Sequence, residues 1–152
     1  MGNSFHSVTF RRISCLKDKR SDNVFTEQLK QAIEGEYRDY YVYKHMLTLT
    51  DDVFFQSFIK HIIEDEKSHY EMFQQLYYML TGEFVQNPSK PKHPTSFKKA
   101  VKDALVDELE GVELYKEMLL TIPIPQAHDP LFIAMNDEME HAIRLSTIYN
   151  SI

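Results

Sequence analysis

Apolar residues recur at steps of three and four along most of the chain, the spacing of helices with one buried face. Phe55, Ile59, Ile62, Phe73, Leu76 and Leu80 form one such stripe, with a single gap of eleven residues. Two positions inside that gap fall on the same face, and they hold Glu66 and His69. A stripe through Leu29, Ile33, Tyr40, Tyr43 and Leu47 contains Glu36. Another through Val101, Leu105, Val112, Tyr115 and Leu119 contains Glu108. A fourth, through Leu131, Ala134, Leu145 and Ile148, contains Glu138 and His141. Six ionisable side chains therefore stand where the packing pattern calls for leucine.

The stripes predict four helices and an all-α fold. The first runs from about Phe25 to Leu49. The tight "TLTDD" follows, and Asp51 or Asp52 can cap the second helix, which ends before Gly82. "GEFVQNPSKPKHPT" comes next, where Pro88, Pro91 and Pro94 forbid regular helix. The third helix starts near Thr95 or Ser96. The fourth is expected to be capped by Asp129, with Pro130 at its first position. The short first turn makes helices one and two antiparallel neighbours. The proline-rich connector, extended at roughly 3.3 Å per residue, spans about 45 Å, enough to return along a long helix. Two antiparallel hairpins joined by one long crossover form a four-helix bundle of the ferritin-like kind.

An internal repeat fixes the phase. An offset of 72 residues pairs Ala32 with Ala104, Glu36 with Glu108, Tyr43 with Tyr115 and Leu47 with Leu119. The same offset pairs Asp65 with Asp137, Glu66 with Glu138 and His69 with His141. The chain reads as two copies of one hairpin, packed about a pseudo-twofold axis with equivalent residues facing each other. At roughly 1.5 Å of rise per residue, Glu36 and Glu66 lie about 20 Å on either side of the first turn, and so at one depth.

Composition supports helices: glycine (4) and proline (6) are scarce and tryptophan is absent. The net charge of −6 divides into +4 over residues 1–20 and −10 elsewhere. Residues 1–24 are accordingly expected to be a basic N-terminal extension, and 25–152 the bundle. The acidic body argues against nucleic acid as its partner. Cys15 is the sole cysteine, so no disulfide framework or four-cysteine metal site is available and a cytoplasmic location is expected. No apolar run is long enough for a membrane span, and the N-terminus lacks a secretory signal's apolar segment.

Four carboxylates buried without counter-charge would each cost several kcal/mol or be forced to protonate. Two divalent cations, with both imidazoles neutral, balance them. Mixed carboxylate and imidazole donors suit iron or manganese. One Glu from each of two helices, with Glu-x-x-His from each of the other two, is the di-iron or di-manganese arrangement. Asp65 and Asp137 are candidates to accept from the two imidazoles across the pseudo-twofold. Tyr43 and Tyr115, two turns after Glu36 and Glu108, are candidates to donate to carboxylates. His6, His45, His61, His93 and His128 have no repeat partner and are expected at the surface. Tyr37, Tyr41, Tyr70 and Tyr78 are expected to cover faces or a subunit interface.

"GEYRDYYVY" with "EDEKSH", then "DELEGVELY" with "NDEMEH", resembles the metal motif of the ferritin-like superfamily, in particular its rubrerythrin-type di-iron members, over about residues 25–152. The resemblance implies Glu36, Glu66, His69, Glu108, Glu138 and His141 as ligands of two iron ions. It implies oxidation of ferrous iron by dioxygen or hydrogen peroxide, or reduction of hydrogen peroxide; the protein is expected to be a homodimer. Full rubrerythrins carry a four-cysteine iron module; with only Cys15, this chain would need an external electron donor. Where such proteins tend to have a further glutamate on helix three, this chain has Gly111; the repeat-equivalent Asp39 is a further candidate ligand. Manganese catalases share the ligand pattern, so manganese is an alternative metal. Sequestration of iron or manganese without turnover, and a purely structural bundle, are the alternative functions.

Overall fold

A computed structural model describes residues 19–86 and 91–152. Four α-helices dominate: α1 (Lys19–Met46), α2 (Val53–Thr81), α3 (Phe97–Leu119) and α4 (His128–Tyr149). Short 3-10 turns occupy Leu47–Leu49 and Pro125–Ala127, and no strand occurs among the described residues. Helix α1 packs on α2 and α3 on α4, and the two hairpins meet through α1–α3 and α2–α4. The fold is the expected all-α bundle of two hairpins. Helix α1 begins at Lys19, so residues 19–24 of the expected extension belong to it. The remainder of that extension lies outside the described residues.

Local chemistry sets most of the helix ends. The Asp52 carboxylate accepts from the backbone N–H groups of Phe54 (2.8 Å) and Phe55 (3.1 Å), satisfying two otherwise orphaned donors of α2. Gly82 closes α2 at φ 79°, a left-handed conformation that glycine adopts without a Cβ clash, and its N–H donates to Tyr78 O at 2.8 Å. Helix α3 starts where expected, near Thr95 and Ser96, and Ser96 caps it, its hydroxyl accepting from the Lys99 N–H. The expected cap of α4 is not Asp129. The 3-10 turn runs directly into the helix, leaving Ala127 at the N-cap in helical geometry (φ −78°, ψ −17°) with no side-chain cap. Asp129 lies instead in the first turn, beside His128 Nδ1 at 2.9 Å, where its charge still favours the helix N-terminus.

The crossover is held at two points. The Gln74 amide donates from Nε2 to Val85 O and accepts from Val85 N–H at Oε1, each at 3.0 Å. His45 Nε2 lies 3.0 Å from Pro94 O, and its ring stacks on His93 at 4.4 Å between centroids. His45 is therefore part of the crossover's anchorage, not a free surface residue.

Two apolar clusters build the core. One gathers Phe25, Leu29, Ile33, Phe73, Met118 and Leu131; the other gathers Tyr43, Ile59, Ile62, Val101, Leu145 and Ile148. Along every helix the ionisable stripe positions lie between the residues of these two clusters. A polar layer is thus sealed at both ends by apolar packing.

Candidate metal centre

The structure brings together all six residues that interrupt the stripes. Glu36, Glu66, His69 and Glu138 form one quartet, and Glu66, Glu108, Glu138 and His141 form another. Within each, one donor atom per residue lies within 4.8 Å of the others. All six are buried, none more than 4 % exposed. The 72-residue offset converts one quartet into the other, and Glu66 and Glu138 belong to both. Such pairing is the geometry of two adjacent sites with two shared carboxylates.

The surrounding contacts obey the same symmetry. His69 Nε2 lies 3.0 Å from Asp137 Oδ2, and His141 Nε2 lies 3.1 Å from Asp65 Oδ2. The Tyr43 hydroxyl donates to Glu108, and the Tyr115 hydroxyl donates to Glu36. Every one of these bonds crosses from one hairpin to the other. The aspartates orient the imidazoles so that Nδ1 of each points at the carboxylates. His69 Nδ1 lies 3.4 Å from Glu36 and 3.3 Å from Glu138. His141 Nδ1 lies 3.2 Å from Glu66 and 3.4 Å from Glu108.

Those ring nitrogens approach the carboxylates without forming hydrogen bonds. Glu36 Oε2, Glu66 Oε1, His69 Nδ1 and His141 Nδ1 are all buried with no hydrogen-bond partner. Buried polar atoms in native proteins are nearly always satisfied. Four orphans converging on one spot, all of them lone-pair donors, fit two cations of charge +2 facing four carboxylates.

Electrostatics without cations shows the strain of the arrangement. Burial, then the charges of Glu138, Glu36 and Glu108, pushes Glu66 well above the ordinary 4.5. Glu108 is pushed up to about 8 by burial and Glu138, with His141 partly opposing. Burial also raises Glu36, but contacts with Glu66, His69 and Tyr115 outweigh it and leave it below 4.5. The imidazoles go the other way: burial lowers His69, yet Asp137, Glu138 and Glu36 hold it up at about 12, and His141 is raised by the same balance. Protons thus take up the charge compensation that cations would otherwise provide. Both tyrosines are raised well above 10, chiefly by burial and then by the neighbouring glutamates, so they remain neutral donors.

Asp39 stands outside both quartets. Its carboxylate makes a two-pronged ion pair with Arg38, at 3.0 and 3.1 Å. Gly111 leaves a gap on α3: a Cβ built there would sit 3.5 Å from Glu138 Cγ. One neighbour went unassigned in the sequence. His61 Nε2 lies 3.2 Å from Asp65 Oδ2, an i, i+4 contact on α2, so Asp65 sits between two histidines. The repeat hides it, because the equivalent of His61 is Ile133.

The fold and the buried acid–histidine layer define a ferritin-like helical bundle with a candidate two-cation centre. Among solved structures, the chain is similar to a ferritin-like, diiron-carboxylate protein from Bacillus anthracis, with a TM-score of 0.75 and 19% identity over 86% of this chain and 99% of that one. It is also similar to a two-domain protein from Anabaena variabilis with a DJ-1/ThiJ/PfpI-like and a ferritin-like domain, with a TM-score of 0.69 and 17% identity over 86% of this chain and 37% of that one. Among curated proteins, the uncharacterized protein YhjR of Bacillus subtilis is 27% identical over 124 residues, 82% of this chain and 86% of YhjR. No protein-family model matches. Among the described residues, no helix is long and apolar enough to cross a membrane.

Proposed function

We propose that this chain is a di-iron carboxylate protein of the rubrerythrin type. It would oxidise ferrous iron with dioxygen or hydrogen peroxide, or reduce hydrogen peroxide at the expense of an external electron donor. Glu36, Glu66, His69 and Glu138 would hold one iron, and Glu66, Glu108, Glu138 and His141 the other. The observation that carries this is the set of four buried, unpartnered donor atoms inside an acidic layer closed at both ends. Reduction of hydrogen peroxide to two waters consumes two electrons and two protons, and two ferrous ions can supply those electrons. The chain's own groups fix the geometry. Tyr43 and Tyr115 each hold one carboxylate oxygen of Glu108 and Glu36, leaving the other oxygen to point inward. Asp65 and Asp137 fix the imidazole tautomer with Nδ1 free. Cys15 alone cannot build a four-cysteine iron site, so the electrons would come from a separate protein or small reductant in a reducing, cytoplasmic setting.

Elemental analysis of protein purified without added metal is the first test, and two irons per chain is the expected result. Anaerobic addition of ferrous iron followed by hydrogen peroxide should then give a visible absorption change that a reductant reverses over repeated cycles. Stoichiometric binding with no cycling would identify a sequestering protein instead. Manganese in the elemental analysis, with oxygen evolved from peroxide, would mark a catalase. If Glu66→Ala and Glu138→Ala change neither metal content nor stability, there is no metal centre and only the reading of a purely structural bundle survives.

A further inference from the structure

How cations reach a sealed layer is answered by one face of the bundle. The apolar clusters close both ends, and α1–α2 and α3–α4 pack as tight hairpins. The α2–α4 seam is bridged by His69–Asp137 and His141–Asp65, and by Arg144 stacked over Phe58 at 4.9 Å. The α1–α3 seam opens beside the layer. A cavity of about 200 Å³ lies there, with Gly35, Arg38 and Asp39 on its α1 wall and Asp107, Glu110 and Gly111 on its α3 wall.

The cavity borders the site. Tyr115 lines it and bonds Glu36, and Gly111, also on its wall, lies against Glu138, whose Oε2 would be 3.9 Å from a Cβ at that position. Gly35 leaves the opposite wall equally bare, its would-be Cβ 4.0 Å from Asp39 Oδ2. The repeat offset sets Asp107 opposite Gly35 and Gly111 opposite Asp39. Each hairpin therefore supplies one glycine and one aspartate in swapped order, and the cleft straddles the pseudo-twofold axis, serving both quartets alike. Three carboxylates against the single charge of Arg38 give the mouth a negative field that favours cations over anions.

We propose that this cleft is the loading route for divalent cations, with the Arg38–Asp39 ion pair standing on the α1 side of its mouth. The route presupposes the metal centre proposed above. The two glycines keep it open, and the acids gather cations at its entrance. A larger side chain on either wall plugs it, slowing entry and exit together while leaving the equilibrium affinity unchanged.

Cobalt(II) uptake by the chelator-treated full-length protein, followed by stopped-flow absorbance, tests this. Gly35→Leu and Gly111→Ala should bind as much cobalt as wild type, with association and dissociation both slowed and the dissociation constant preserved. The double variant Asp107→Asn/Glu110→Gln should load about tenfold more slowly in low salt and lose most of its salt dependence. Arg38→Gln should load faster. Circular dichroism confirms that each variant is folded, and the two charge variants leave the helix walls intact. Wild-type loading rates in both glycine variants would rule the cleft out while leaving the centre standing. Absence of cobalt uptake by wild type would remove the centre and the route together.

Discussion

Glu108→Gln gives the sharpest physical test of the buried layer. Glutamine keeps the size of the side chain and an oxygen for the Tyr43 hydroxyl, but removes the charge. In the metal-free protein Glu108 is 4 % exposed and titrates at about 8, against an ordinary 4.5. At pH 7 the unfolded chain has released this proton and the folded protein retains it. The gap from 4.5 to 7, at 1.36 kcal/mol per pH unit, is a folding penalty of about 3 kcal/mol. Loss of the contact with His141 offsets part of it, so the metal-free variant should be about 1–3 kcal/mol more stable than wild type. For a chain of this size that is roughly 3–10 °C in melting temperature. The sign with pH is fixed. A carboxyl raised in the folded state destabilises nothing below about 4.5, increasingly between 4.5 and about 8, and constantly above. Melting curves in chelator from pH 4.5 to 8.5 should therefore diverge as pH rises. Excess metal should reverse the order, because binding at a hundred times the dissociation constant stabilises wild type by about 2.7 kcal/mol per site and the variant lacks one donor. A metal-free variant that melts at or below wild type at pH 7–8, with native helicity, would refute the view that the acids destabilise one another.

Asp65→Asn and Asp137→Asn should each weaken metal binding by about 10–100-fold with little change in helicity, measured by competition with a colorimetric chelator. Gln74→Ala strands the Val85 N–H and C=O and should destabilise the protein by about 1–3 kcal/mol, with hydrogen exchange at Val85 accelerating first. The expected homodimer has a candidate surface in Val106, Leu109, Phe132, Met139 and Ile143, all exposed, whose repeat equivalents are Glu34, Tyr37, Lys60, Lys67 and Glu71. Exchanging Met139→Lys and Ile143→Glu, the sister hairpin's own residues, should yield a folded monomer by light scattering; an unchanged mass would exclude this face.

The residues that meet at the centre were legible because each interrupts an apolar stripe and because the repeat doubled the evidence. Asp65 and Asp137 were legible because each directly precedes a motif glutamate, and Tyr43 and Tyr115 through the helical period. What escaped notice was local and asymmetric. The His61–Asp65 contact and the Arg38–Asp39 pair have no counterpart at the repeat offset. Gln74 and His45 bond backbone atoms of the crossover, and such partners leave no trace in side-chain periodicity. Asp129 followed by Pro130 carries the composition of a helix start, but the preceding turn was already helical and took over that role. Helix α1 starts earlier than its apolar stripe, because the first turns of a helix need no buried face.

The cross-hairpin bonds carry a consequence for how the molecule assembles. Each imidazole leans on an aspartate of the other half, and each tyrosine clasps a glutamate of the other half. A solitary hairpin therefore owns neither a finished binding pocket nor the braces that would hold one, and its acids stay wet until the halves dock. Assembly and completion of the pocket are one event, so a cation that favours the pocket also welds the two halves together.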